Sequence, residues 1–176
     1  MTYTFSAMLN EIAGTKFKIV LGYAGGNDIN LAMERGEVGG RNSTWSNWKN
    51  NKTEWVKNKD ITILAYAGPA PSDLPAEIAV KALARSDEDR ALVQLLAGGS
   101  AEIGHPFAAP PQLPPDRLLA LRAAFIATTK DPQFLAEAAS LNIEIDTVGG
   151  ETIARIVNDL LASPAQVKAR GKMILE

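Results

Sequence analysis

The residues predict an α/β fold, and three observations carry that expectation. Residues 16–21, Lys-Phe-Lys-Ile-Val-Leu, alternate charged and apolar side chains before turning fully apolar, as a chain entering a sheet does. Residues 60–66, Asp-Ile-Thr-Ile-Leu-Ala-Tyr, make a second short run with the β-branched and aromatic side chains that strands favour. Around these runs the apolar residues recur at helical spacing, so strand-like and helical stretches alternate along one chain.

Taken in order, Ser6 is placed to cap a short helix carrying Met8, Leu9 and Ile12, and Gly14 ends it because glycine tolerates the left-handed conformation of a helix stop. The strand at 16–21 runs into Gly22-Tyr23-Ala24-Gly25-Gly26. Asn27 or Asp28 then caps a helix with Ile29, Leu31, Ala32 and Met33, closed by Arg35-Gly36. Residues 38–42 make another short strand. Over 44–58, Trp45, Trp48 and Trp55 recur at three and seven residues, near one helical face and opposite a Lys- and Asn-rich one. Residues 68–75 form a proline-rich surface loop. Ser86-Asp87-Glu88-Asp89 reads as a capping box for a helix through Leu92, Leu95 and Leu96, with Gly98-Gly99 closing it.

Five of the ten prolines fall within residues 104–115, which predicts an extended crossing between two lobes. Pro115 sits in the first turn of a helix with Leu118, Leu121, Phe125 and Ile126, and Asp131-Pro132 starts the next with Phe134 and Leu135. Residues 142–146 are a strand candidate. Ile153, Ile156, Val157, Leu160 and Leu161 then form a clean helical stripe, and Ser163-Pro164 caps the last helix.

Composition narrows the chemistry. The chain has 176 residues, 18 basic and 20 acidic side chains for a net charge of −2, no cysteine and one histidine. A chain of about 150 residues already buries roughly two-thirds of its unfolded surface, so a core needs no covalent staples. Without thiols there is no disulfide, no cysteine-ligated metal and no cysteine nucleophile; with one histidine there is no multi-histidine metal site. Near-balanced charge argues against a general polyanion binder. No apolar run is long enough to span a membrane, and the first residues lack the basic n-region of an export signal.

The most informative local feature is the glycine turn at 22–26 with Asn27. Glycines let the backbone approach a ligand, and the free N–H groups and positive dipole end of the following helix suit a carboxylate or phosphate. The spacing matches neither a dinucleotide fingerprint nor a P-loop. Taken locally, a strand-to-helix turn with no ligand is the commoner explanation of such glycines. Ser43, Thr44 and Trp45, after the second strand, offer hydroxyls beside an aromatic wall, although capping explains each hydroxyl singly and packing explains the tryptophans. The basic stretch from Arg41 to Lys59 reads as a solvated helix face rather than a nucleic-acid site, since no binding motif accompanies it. His105 has no nucleophile signature near it, and Asp87, Glu88 and Asp89 complement a helix dipole without a metal.

Residues 14–26, Gly-Thr-Lys-Phe-Lys-Ile-Val-Leu-Gly-Tyr-Ala-Gly-Gly, with 29–38, Ile-Asn-Leu-Ala-Met-Glu-Arg-Gly-Glu-Val, resemble the receptor proteins of tripartite tricarboxylate transporters, the Bug family. The likeness continues at 45–49, 73–75, 102–111, 113–117 and 130–135, so it covers nearly the whole chain from Gly14. The resemblance implies a partial type II periplasmic-binding-protein-like fold. Residues 1–102 would be the second, ligand-clamping α/β lobe, 103–115 the inter-lobe crossing, and 116–176 the mostly helical C-terminal portion of the first lobe. It further implies a non-enzymatic receptor that binds a small organic acid through Gly22, Tyr23, Ala24, Gly25, Gly26, Asn27, Ser43, Thr44 and Trp45; because the N-terminal core of the family's first lobe has no counterpart here, the receptor is read as truncated, with a split receptor completed by another chain as the alternative. No cofactor or metal is implied, the partners are membrane transporter subunits, and the location is periplasmic. One departure is Gly36-Glu37-Val38-Gly39-Gly40, where the family commonly has Asp in the fourth place. Two other classes stay open: a ligand-free assembly module that pairs its exposed lobe surface with a copy of itself, and an esterase-like enzyme using the Gly22 loop as an anion hole.

Overall fold

The computed structural model describes residues 2–141 and 143–176. It is mostly helical: 59% of the chain is helix, and among the described residues no sheet forms. This overturns the α/β expectation and, with it, the type II periplasmic-binding-protein architecture that the resemblance implied. The segments at 16–21, 38–42, 60–66 and 143–146 are irregular, and among the described residues none has a partner strand. Their only ladder contact is an isolated parallel bridge between Tyr66 and Ala79. Alternation marks a segment that is able to become a strand; a strand exists only when another chain segment supplies its hydrogen bonds. Asn142, part of the last strand expectation, lies outside the described residues.

Two compact units divide the chain, one formed by Met1–Glu102 with Ser163–Glu176 and the other by Ile103–Ala162. In the first unit, helix α1 (Thr2–Ala13) ends at Gly14, whose φ of +67° is the left-handed stop foreseen for it. Helix α2 (Gly26–Glu34) starts at Gly25, not at Asn27 or Asp28. The single tryptophan helix expected over 44–58 is two helices, α3 (Trp45–Asn51) and α4 (Thr53–Lys57), broken at Lys52 with φ −134° and ψ 43°. The break keeps Trp48 and Trp55 together, their rings 6.3 Å apart, and places the Lys52 ammonium 4.2 Å from the Trp55 ring centre.

After the proline loop come α5 (Val80–Leu83) and α6 (Asp87–Val93). Gly98-Gly99 does not close the latter: Gln94–Gly98 forms a π-helical turn that carries the chain into α7 (Gly99–Ile103). The core of this unit is Met8, Leu9 and Ile12 of α1, Val80, Leu92 and Val93, Ala97 of the π turn, and Val167. Met8, Ile12, Val80, Leu92 and Val167 are fully buried, each contributing about 1.5–3 kcal/mol by leaving water.

The second unit holds α8 (Pro115–Thr128), α9 (Pro132–Ser140) and α10 (Gly150–Leu161). Their starts follow the sequence: Pro115 occupies the first turn of α8, and the Asp131 carboxylate accepts hydrogen bonds from the Gln133 and Phe134 N–H groups at 3.0 and 2.9 Å. Few side chains are hidden. Among its described residues only Ala138 and Ile156 are buried, and Phe107, 86% exposed, touches Phe125 at 5.3 Å between ring centres. The last helix, α11 (Ala165–Leu175), belongs to the first unit and is preceded by Pro164, with no side-chain cap from Ser163.

Candidate functional site

An open cleft of about 500 Å³ lies at the start of α2, lined by Ala24, Gly25, Gly26, Asn27, Asp28, Arg41 and Asn47. Gly25 is the residue before the helix and, having no side chain, leaves the first N–H groups of α2 uncapped; the first intrahelical bond to its carbonyl comes from Ile29 N–H at 3.2 Å. The N–H groups of Gly26, Asn27 and Asp28 are therefore available for a negatively charged ligand, at the positive end of the helix dipole.

Arg41 brings a full positive charge to the same place. One terminal guanidinium nitrogen donates to the Gly26 carbonyl, the other donates to Ser43 Oγ at 2.7 Å, and the group stands 5.1 Å from the Trp48 ring centre. Ser43 Oγ in turn donates to Asn47 Oδ1 at 3.1 Å. A guanidinium has five N–H donors, so these contacts fix its plane and leave donors over for a carboxylate. Burial lowers the Arg41 pKa from its ordinary value, and the indole face offsets part of that desolvation. The Arg41 Nε and the Asn30 Oδ1 on α2 are buried without a hydrogen-bond partner among the described residues. Gly26 is needed for this arrangement: a Cβ there would collide with the Arg41 guanidinium.

Of the residues named from sequence, Ala24, Gly25, Gly26 and Asn27 line the cleft. Gly22, with φ +103°, turns the chain toward it. Ser43 acts through Arg41. Thr44 caps α3, its Oγ1 accepting from Asn47 N–H at 3.2 Å, and the Trp45 indole donates to Asp73 Oδ1 at 2.8 Å. Tyr23 and Trp45 are not among the lining residues.

Arg41 and Asn47 are the lining residues that sequence reasoning missed; Asp28 also lines the cleft, where its negative charge opposes a highly charged anion. Arg41 differs from the lysines that follow it: it directly follows Gly39-Gly40 and stands two residues before Ser43, whose hydroxyl it meets. His105 is exposed in the extended proline stretch. Among the described residues no cluster of three or more metal-ligating side chains occurs, and no helix is long and apolar enough to cross a membrane.

Comparison of the chain with protein-family models, with curated proteins and with solved structures returns no match.

Proposed function

We propose that this chain binds small organic carboxylates without chemistry, as the solute-receiving component of a tripartite carboxylate uptake system. The observation that carries the reading is the Arg41 guanidinium, held against Trp48 and turned toward the uncapped first turn of α2. A carboxylate seated there receives charge-assisted hydrogen bonds from a planar cation and from backbone N–H groups, the donor set that binds such groups most strongly. The transporter context, a periplasmic location and the membrane partners rest on the resemblance of residues 14–38, 102–111 and 113–117 to tricarboxylate receptors. They stand apart from the α/β lobes that the resemblance also implied, since among the described residues no sheet forms.

The test is thermal melting with a series of mono-, di- and tricarboxylates, compared between the wild type and Arg41→Ala. A ligand held at about 100 times its Kd stabilises by about 2.7 kcal/mol, a readily measured shift in melting temperature. The expected result is stabilisation of the wild type by at least one carboxylate, lost in Arg41→Ala and partly kept in Arg41→Lys. Equal stabilisation of Arg41→Ala, or no shift with any member of the series, overturns the reading.

A further inference from the structure

The chain exposes 11996 Å² of surface for a mass of 18.8 kDa. A folded monomer of that mass exposes about 8,300 Å², and even two separate globules of the sizes of the two units would together expose about 9,900 Å². The remaining excess, about 2,100 Å² per chain, is what each partner gives up in a stable obligate dimer. Much of it is apolar: Val20, Leu21, Leu64, Leu119, Leu121, Leu141, Ile143 and Leu161 are each at least half exposed.

Two segments within this surface, both outside the helices, fit each other. Residues 16–19 read Lys-Phe-Lys-Ile and residues 143–146 read Ile-Glu-Ile-Asp, so one carries two cations and the other two anions at alternate positions, with apolar residues between. Their free edges agree as well. The main chain of Phe17 is held on both its N–H and its carbonyl by the Asn10 side chain, at 2.8 and 3.0 Å. Successive residues of an extended chain point their hydrogen-bonding groups to opposite edges, which leaves the edge of Lys16, Lys18 and Val20 open. Similarly, Ile143 N–H donates to the Ala138 carbonyl at 2.9 Å, while Glu144 and Asp146 make no backbone–backbone hydrogen bond among the described residues. Antiparallel pairing then sets Lys16 opposite Asp146 and Lys18 opposite Glu144 on one face, and Phe17 opposite Ile145 and Ile19 opposite Ile143 on the other.

We propose that a second copy of this chain covers these edges, residues 16–20 of each copy pairing with residues 143–146 of the other in a two-fold dimer. Both halves of the contact are carried by every chain; a two-fold axis uses both and closes at two copies, whereas head-to-tail docking continues into longer assemblies, and sedimentation tells the two apart. Charge favours this exchange over like-on-like docking: residues 103–162 carry 4 basic and 7 acidic side chains, a balance of 4 − 7 = −3, which would repel its own copy.

The experiment is analytical ultracentrifugation of the full chain over a concentration series, at low and high salt. The wild type is expected to sediment as a dimer that weakens as salt rises. Lys16→Glu with Lys18→Glu, and separately Glu144→Lys with Asp146→Lys, set like charges opposite each other and should each raise the dimer Kd at least about tenfold. Mixing these two double variants makes both contacts complementary again and should restore the dimer as a heterodimer, which also shows that neither variant is merely unfolded. A wild type that stays monomeric at the highest concentration overturns the proposal. So does a dimer indifferent to both charge reversals, or a mixture that fails to recover.

Discussion

At the residue scale, the ion pairs around Arg170 are the part of the first unit most sensitive to a single substitution. Arg170 on α11 donates to Asp89 at 2.8 Å, to Glu11 at 3.1 Å and to Glu88 at 3.4 Å, joining α1, α6 and α11. Asp89 is buried and also accepts from Arg85 N–H at 3.2 Å. Burial by itself pushes the Asp89 pKa up, but the hydrogen bonds from Arg170, Ser86 and the Arg85 backbone prevail and hold it below the usual carboxylate range. A carboxylate whose folded pKa is depressed stabilises the fold above its unfolded pKa, and that stability is lost as pH falls through the folded value. Acid should therefore weaken the fold below about pH 4. Arg170→Ala leaves Asp89 buried without its cation and should cost about 2–3 kcal/mol in urea unfolding at neutral pH, while flattening the acid dependence. An Arg170→Ala variant as stable as the wild type would show that Asp89 reaches water unaided.

The element scale is where the sequence was most legible. Helix starts and stops depend on neighbours within a turn, so Gly14, Arg35-Gly36, Ser86, Pro115 and Asp131 fall where their local chemistry puts them. The failures are non-local. Nothing in residues 16–21 specifies which segment lies beside them, and among the described residues it is no strand but α1, whose Asn10 side chain takes the Phe17 N–H and carbonyl. Likewise, the tryptophan spacing cannot reveal that Lys52 breaks the helix and meets Glu34 on α2 at 2.7 Å. Arg41 was hidden for the same reason: its partners, Gly26 and Trp48, lie on two other elements. Close packing of elements gives a test of its own. A Cβ on Gly171 of α11 would stand 3.3 Å from Leu95, 3.5 Å from Leu96 and 3.6 Å from Leu92. Gly171→Val adds bulk to a seam with no room and should destabilise by about 1–3 kcal/mol. An unchanged urea midpoint would mean that α11 is free to move off α6.

For the whole molecule, the two units should differ in how firmly they hold their backbone. The first has a core of fully buried side chains, whereas the second buries little besides Ala138 and Ile156. Helices shorter than about 12–15 residues are marginal without tertiary packing, and α9 has nine residues. In hydrogen exchange at concentrations too dilute for association, amides of α8, α9 and α10 should exchange far faster than those of α1, α6 and α11. Equal protection in both units would show a core in the second that its side chains do not reveal. Composition foresaw none of this. A count of apolar residues measures how much could be buried, while burial itself depends on which faces meet.

The C-terminal helix lies in the first unit, and this has a consequence for how the chain is made. Val167, 1% exposed, closes a core begun by Met8 and Ile12, and Arg170 meets Glu11 across 159 residues of sequence. A ribosome delivers α11 well after α1, so the first unit stays open on that side until α11 arrives. Contacts of such long sequence separation also slow folding, since the intervening loop must close before they form. Until α11 emerges, Met8, Leu9 and Ile12 lack the cover of Val167 in the nascent chain, and that is the interval in which a chaperone, or another copy, finds them.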